Sequence, residues 1–149
     1  MDRALTGERD RKELALEHSR RVNAGDVDAI LELYGDGVVF EDPVGWERRT
    51  GRDALRAHFD EAVAAGVREV AGEPVAGQDG AHAFIPITSD MDYFPLGPVF
   101  AERGWLVPPA DAAGKRLRRR HMLLLRVDAT GLICQAQAFW GKSDLEVAG

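Results

Sequence analysis

Asp42 is the first residue whose type and position suggest chemistry. It ends a predicted strand over residues 38–42, in which Val38, Phe40 and Asp42 alternate onto one face. A carboxylate that continues an apolar face loses solvent, and its pKa rises toward the range that a general acid or base needs. An aspartate at a strand end also commonly caps a turn, here the turn before Pro43. The pattern alone leaves both roles open.

Glu69 is the second carboxylate of this kind. An extended segment over residues 67–75 would place it on one face with Val67 and Ala71. Glu73 falls on the same face, so a solvated edge strand is an alternative explanation of the pattern. Patterning of this kind does not establish that Asp42 and Glu69 meet in space.

Two histidines lie on predicted apolar faces. His18 stands four residues from both Leu14 and Val22 on a helix, and His121 shares a strand face with Leu123. Each is either a hydrogen-bonded core histidine or a catalytic group. The spacing of the histidines matches no metal-ligand motif, so we predict no metal site.

Other polar and aromatic groups are assigned by their local context. His58, His82 and the basic run 118–120 are predicted to lie at the surface. Trp46 and Trp105 lie in predicted loops, where contact with an apolar ligand is a realistic role.

Composition limits the class of protein. The 149 residues are 45% hydrophobic and carry a net charge of −6, which indicates a single globular domain over residues 1–149. The acidic balance argues against nucleic-acid and anionic-membrane partners. Cys134 is the only cysteine, which excludes an internal disulfide. Residues 1–5 lead into a charged stretch rather than an apolar signal region, so we expect a cytoplasmic protein.

The elements that must position these residues fall into two halves. Helices are predicted over residues 8–23 and 27–34, and a third runs from Thr50-Gly51 to Gly66. Strands are predicted over residues 38–42, 67–75, 81–93, 117–128 and 132–140, with a long loop over 95–114. Three helices followed by an antiparallel meander indicate an α+β fold in which a curved sheet encloses one pocket.

Several short stretches resemble the ketosteroid-isomerase-like superfamily, also called nuclear transport factor 2-like or polyketide-cyclase-like. They are residues 22–26 (VNAGD), 33–34 (LY), 41–45 (EDPVG), 50–52 (TGR) and 139–141 (FWG). The resemblance implies a cone-shaped barrel of a curved antiparallel sheet packed on three N-terminal helices, often dimeric through the sheet. It places the proton-shuttling aspartate of the isomerases on Asp42. His18, Phe59 and Leu123 replace the isomerase's polar partners, which argues against steroid isomerisation.

A narrower resemblance is to the polyether epoxide hydrolases/cyclases of the monensin and lasalocid type. It is carried by residues 15–21 (ALEHSRR), 73–79 (EPVAGQD), 91–93 (MDY) and 101–106 (AERGWL). It implies intramolecular opening of an epoxide by a hydroxyl of a linear polyepoxide polyketide, without a cofactor. It implies an acid–base pair of Asp42 and Glu69, with His18 orienting a carboxylate or binding the epoxide oxygen.

The resemblance also leads to specific expectations. We expect Asp42 to be the protonated acid and Glu69 the base, with the reverse assignment still open. We expect a homodimer or a pairing with a paralogous subunit. The alternatives are a polyketide cyclase that uses Asp42 for an aldol closure and a non-catalytic ligand-binding or assembly module. The residues expected to line the substrate pocket are Phe40, Trp46, Phe59, Met91, Trp105, His121, Leu123 and Trp140.

Overall fold

A computed structural model describes residues 7–149, so the expectation for residues 1–5 lies outside the described part. The helices are α1 (Glu8–Ala24), α2 (Val27–Leu31), α3 (Arg52–Ala64) and α4 (Leu96–Glu102). Gly25 ends α1 in the left-handed conformation, at φ 68°, and its N–H donates to the carbonyl of Val22. Asp26 then caps α2, because its carboxylate accepts from the N–H of Ala29 at 3.1 Å. No helix in this part of the chain is long and apolar enough to span a membrane.

The strands form one curved sheet that does not close. They are β1 (Tyr34–Glu41), β2 (Arg48–Thr50), β3 (Arg68–Ala71), β4 (Val75–Ala76), β5 (His82–Asp92), β6 (Arg116–Val127), β7 (Ile133–Phe139) and β8 (Leu145–Ala148). Their order is β2-β1-β7-β6-β5-β3, with β4 paired to β5 and β8 paired to β6. The α+β class and the cone-like arrangement are confirmed.

Alternation along the long strands determines which side chains face the helices. On β5 the buried positions are Ala83, Ile85, Ile87, Ser89 and Met91, and the residues between them face outward. The same alternation on β6 buries Leu117, His121, Leu123 and Leu125. The inner faces of β5 and β6 therefore form one wall of the core and of the cavity within it.

The predicted strands over 81–93, 117–128 and 132–140 are confirmed to within two residues at each end. The predicted antiparallel meander is confirmed in β3, β5, β6 and β7. The expectation that the whole sheet is antiparallel is wrong in one pairing, because β1 runs parallel to β7. The second helix ends at Leu31 rather than residue 34, since Tyr34 already pairs with Ile133 in the sheet.

The predicted strand over 67–75 is split into β3 and β4. Between them, Gly72 donates to the carbonyl of Pro86 at 2.8 Å, and a Cβ at Gly72 would lie 2.7 Å from the Pro86 ring. Only glycine allows the chain to approach Pro86 this closely, so the strand kinks at that point.

The predicted loop over 95–114 is also wrong in part, because it contains α4. The Gly97 N–H donates to the carbonyl of Tyr93 at 2.6 Å, and a Cβ at Gly97 would clash with the Tyr93 ring. Phe100 on α4 is buried and packs against Trp105 and Trp140. The segment therefore closes one side of the core instead of standing free.

Candidate active site

The concave face of the sheet and the helices enclose a cavity of about 140 Å³. Of the residues predicted for the site, those that line it are His18, Phe40, Asp42, Trp46, Phe59, Glu69, Met91, His121, Leu123 and Trp140. Trp105 is the exception, because it packs behind this wall, edge-on to Trp46 and Trp140. The residues singled out from the sequence thus meet in one mostly buried space.

Asp42 is held by three donors at the end of β1. Its Oδ1 accepts from the indole Nε1–H of Trp140 at 2.6 Å and from the guanidinium of Arg119 at 3.2 Å. Its Oδ2 lies 3.1 Å from Nε2 of His58. A carboxylate offers about four acceptor positions, so one position on Oδ2 is left for another donor.

The expectation that Asp42 is held protonated is wrong. Burial alone would raise its pKa, but the charge of Arg119 and the hydrogen bond from His58 outweigh burial. Together they hold the pKa of Asp42 well below its ordinary value. At neutral pH this carboxyl is therefore an anion.

His58 was predicted to lie at the surface, and the structure instead places it between Asp42 and Arg49. Nδ1 of His58 lies 3.1 Å from the Arg49 guanidinium. Because a guanidinium can only donate, Nδ1 accepts and the proton sits on Nε2, from which it is donated to Asp42. Arg49 thus selects the tautomer that supports the aspartate.

Arg119 is a second residue of the site that the sequence prediction misplaces, because the run 118–120 is predicted to lie at the surface. Arg118 and Arg120 do point outward, toward Asp90 and Asp144. Arg119 points inward, its side chain is only 12% exposed, and it pairs with Asp42. The signal was the alternation on β6, since Arg119 shares the inner face with His121 and Leu123.

Glu69 reaches the cavity from β3 and is held by α1. Its Oε1 accepts from the hydroxyl of Ser19 at 2.7 Å. Asn23 pairs with the Glu69 backbone on both sides, accepting from its N–H at 2.6 Å and donating to its carbonyl at 2.9 Å. Burial raises the pKa of Glu69 above its usual value, opposed by Ser19 and Arg119 and reinforced by the Asp42 charge. The two carboxyls therefore have pKa values shifted in opposite directions.

Ser89 and Arg119 follow Glu69 in register across the inner face of the sheet. Ser89 on β5 lies opposite Glu69 on the neighbouring strand β3 and opposite Arg119 on the other neighbour, β6. Ser89 is fully buried, and neither its hydroxyl nor Nε of Arg119 has a hydrogen-bond partner among residues 7–149. Buried polar groups without partners are rare and call for an explanation.

His18 and Tyr34 form a second polar pair in the cavity wall. Nε2 of His18 lies 2.5 Å from the Tyr34 hydroxyl, and both side chains are buried. Burial lowers the pKa of His18 to about 4, so the imidazole is neutral at pH 7. His121 is likewise neutral, since burial and the nearby Arg119 lower its pKa to about 3. Both histidines can exchange hydrogen bonds in the cavity but add no charge to it.

The His18–Tyr34 pair gives a testable prediction about stability. His18→Phe leaves the Tyr34 hydroxyl buried without its partner, which costs about 1–3 kcal/mol in the free energy of unfolding. Tyr34→Phe in the same chain removes that hydroxyl, so the double variant should recover much of the lost free energy of unfolding. Chemical denaturation measures this. A double variant as unstable as the sum of the single variants would contradict the pairing.

Comparison with known proteins places this geometry in a family. The model of the SnoaL-like domain matches residues 15–136. The chain belongs to the SnoaL-like family. Its resemblance to the polyether epoxide hydrolases/cyclases is also confirmed by relatives in sequence and in structure.

Two relatives carry that narrower likeness. The SnoaL-like chain is 46% identical over 147 residues to epoxide hydrolase LasB of Streptomyces lasalocidi. The aligned region covers 97% of this chain and 52% of LasB. It therefore spans about half the length of that curated relative. SalBIII, an epoxide hydrolase/cyclase-like enzyme with a role in pyran ring formation in the polyether salinomycin, superposes with a TM-score of 0.80. The two are 32% identical over 95% of this chain and 98% of SalBIII.

More distant structures share the fold alone. Rv0760c of Mycobacterium tuberculosis superposes with a TM-score of 0.72 at 20% identity, covering 93% of the SnoaL-like chain and 96% of Rv0760c. The cone is thus retained at low sequence identity, while the pairing of Asp42 with Glu69 must be argued from this chain's own site.

Proposed function

We propose that this SnoaL-like protein is an epoxide-opening cyclase that forms a cyclic ether from a linear polyepoxide polyketide. The observation that carries the proposal is a pair of carboxyls in one cavity, Asp42 favouring the anion and Glu69 favouring the acid. Opening an epoxide with a hydroxyl needs one proton delivered to the epoxide oxygen and one removed from the attacking hydroxyl. The pair can supply both without a cofactor. LasB and SalBIII support the assignment through their likeness to the chain.

In the proposed reaction Glu69 is the acid and Asp42 is the base, the reverse of the favoured expectation. Glu69 gives its proton to the epoxide oxygen as the C–O bond of the epoxide breaks. The substrate hydroxyl forms the new C–O bond, and its proton passes to Oδ2 of Asp42, where an acceptor position remains open. The product contains one ether and one new hydroxyl, and a proton then passes from Asp42 back to Glu69, which restores the resting site.

The contacts that keep Asp42 ionised also make it a weak base, which constrains the order of events. A neutral alcohol does not give its proton to such a carboxylate, but the oxygen becomes strongly acidic once it bonds to the epoxide carbon. Proton delivery by Glu69 therefore leads, and transfer to Asp42 follows bond formation. Side chains that line the cavity would hold the substrate chain so that one hydroxyl reaches one epoxide carbon. They are Phe40, Trp46, Phe59, Met91, His121, Leu123 and Trp140.

The assay that tests the proposal is incubation of the purified protein with a synthetic epoxy-alcohol, with products resolved by chiral chromatography and NMR. A single ring size and stereoisomer, formed faster than in buffer, is the expected result. Product ratios equal to those in buffer would overturn the proposal.

Ser89 has a specific place in this proposal. After Glu69 gives up its proton it is a buried anion, and the hydroxyl of Ser19 is its one side-chain donor within residues 7–149. Ser89, which lies opposite Glu69 with a free hydroxyl, is positioned to become the second donor at that moment. Its missing partner in the resting site is thereby explained.

Ser89→Ala should therefore lower activity without lowering stability. Turnover should fall roughly tenfold, the worth of one hydrogen bond to a charged group. The free energy of unfolding should be unchanged or up to about 1 kcal/mol higher, because an unpartnered buried hydroxyl is removed. Steady-state kinetics and urea denaturation measure the two effects. A variant that loses stability and keeps its turnover would show that Ser89 serves packing alone.

The proposal also includes a homodimer that forms through the outer face of the sheet and acts in the cytoplasm. Val70, Val75 and Phe139 are exposed large apolar side chains on that face, and Phe84 contacts Phe139 there at 6.2 Å between ring centroids. An apolar face of this kind on a sheet supports burial against a second copy.

A further inference from the structure

A second cleft, of about 330 Å³, adjoins the catalytic cavity. The two spaces share Trp46, Arg103 and Trp140 in their walls, so they lie side by side at these three residues. The walls of the cleft include three indole rings, those of Trp46, Trp105 and Trp140, and two cations, Arg103 and Lys142.

Indole rings make up much of the apolar surface of this cleft. Trp46 and Trp105 lie edge to face with centroids 5.0 Å apart, and Trp105 and Trp140 are 5.5 Å apart in the same arrangement. These are all three tryptophans of the chain. Trp46 and Trp140 therefore present apolar surface to both the cavity and the cleft.

The charge around the cleft is positive, although the chain as a whole carries −6. Arg103 and Lys142 line the cleft, and no aspartate or glutamate does. Neither cation forms an ion pair with any of residues 7–149. Two cations without counterions on an apolar cleft favour an anion with an apolar body.

Arg103 is held in place without using its hydrogen-bond donors. Its guanidinium carbon lies 4.9 Å from the ring centroid of Trp46 and 5.0 Å from that of Trp105. Stacking on the two rings leaves the N–H groups at the edge of the guanidinium free to bind a carboxylate. The end of α4 is capped by the Arg103 backbone N–H, which donates to the carbonyl of Val99 at 3.1 Å, so capping does not require the side chain.

We infer that the cleft binds the terminal carboxylate of a long apolar acid, which Arg103 and Lys142 hold while its chain extends into the cavity. The inference rests on the proposed function and deepens it. It states that the polyepoxide chain binds as a free acid rather than as an ester or a carrier-bound thioester.

Intrinsic tryptophan fluorescence tests the inference, because every tryptophan of the chain lies at the cleft. The probes are octanoate and its neutral isostere octanamide, titrated at pH 8. Wild type should bind octanoate about fivefold more tightly than octanamide, as expected for charge contacts that remain partly in water. Sodium chloride should reduce that preference.

Variants then show which side chains cause the preference for octanoate. Arg103→Gln/Lys142→Gln should bind the two probes equally, whereas Arg9→Gln/Arg126→Gln, an equal change in charge at two exposed positions, should keep the wild-type ratio. Arg103→Lys, which keeps the charge, should retain most of the preference and checks that loss is not a folding effect. Equal binding of the probes by wild type, or an unchanged preference in the Gln/Gln variant, would overturn the inference.

The titration needs no turnover, so the two proposals can fail separately. Loss of selectivity in the epoxy-alcohol assay with the octanoate preference intact would overturn the cyclase and leave the carboxylate cleft. Selective ring formation without a preference for octanoate would support the cyclase and overturn the carboxylate cleft.

Discussion

Asp42→Asn and Glu69→Gln are each expected to reduce kcat/KM for epoxide opening by about 10²–10⁴-fold, the range that positioned proton transfer contributes. Asparagine cannot take the proton from the attacking oxygen, and glutamine cannot give one to the epoxide. Kinetics with the synthetic epoxy-alcohol measure both losses. Glu73→Gln, the same exchange at an exposed position, is the matched control and should behave as wild type.

The two variants should differ in stability although both are inactive. Glu69→Gln keeps an acceptor for Ser19 and removes a buried ionisable group, so its free energy of unfolding should not fall. Asp42→Asn leaves the guanidinium of Arg119 buried without an anion, which should cost roughly 3–5 kcal/mol. If Glu69→Gln kept its activity while Asp42→Asn lost it, a cyclase that uses Asp42 alone, as in an aldol closure, would replace the proposal.

The pH dependence of the wild type follows from the directions of the two pKa shifts. Activity requires an ionised Asp42 and a protonated Glu69. The lowered pKa of Asp42 keeps it ionised well into acid, and the raised pKa of Glu69 keeps its proton beyond the ordinary range. kcat/KM should therefore hold steady at mildly acidic pH and fall as the pH rises through the pKa of Glu69.

Local periodicity predicts the α+β class and the inner faces that form part of the cavity wall, whereas the cone shape is what the family resemblance implies. Alternation placed Phe40, Asp42 and Glu69 on inner faces, and the four-residue spacing around His18 placed it on the buried face of α1. The structure brings these residues together in one cavity. Trp105 was misplaced, since its position depends on α4, a helix shorter than periodicity reveals.

The protonation states could not be predicted, because they depend on side chains far apart in sequence. An apolar strand face suggested that Asp42 is protonated, and that inference took only its own strand into account. Arg119 lies 77 residues away and Trp140 lies 98 residues away, and both contact the same carboxylate oxygen. The run of three arginines was predicted to be solvated throughout. Strand alternation instead turns the middle residue of such a run to the opposite face from its two neighbours.

Arg119 consequently gives the prediction that tests the electrostatics of the whole site. In Arg119→Gln the charge that opposes the effect of burial most strongly is lost, so the pKa of Asp42 rises and a larger fraction of Asp42 carries a proton at a given pH. kcat/KM at pH 7 should fall roughly 10²-fold, the lower end of what a general base contributes. Arg118→Gln, on the adjacent exposed residue, is the control and should leave kcat/KM near wild type.

The pH profile distinguishes this role from a purely structural one. Arg119 lowers the pKa of both Asp42 and Glu69. Its removal should therefore move both limbs of the kcat/KM profile to higher pH, whereas a packing defect would lower the profile without moving it. A variant with reduced activity and wild-type limbs would contradict the electrostatic role.

Stability should change with pH in the same sense. The folded-state pKa of Asp42 lies below its unfolded value, so its ion pair stabilises the protein above that unfolded value, about 3.9, and the contribution disappears on acidification. Arg119→Gln should therefore cost roughly 3–5 kcal/mol at pH 7 and less toward pH 3. Asp42→Asn/Arg119→Gln should lose less than the sum of the single variants, because neither change then leaves a buried charge alone. Urea denaturation of the four proteins at both pH values measures this coupling directly, and strictly additive losses at pH 7 would show that the two side chains do not act as a pair.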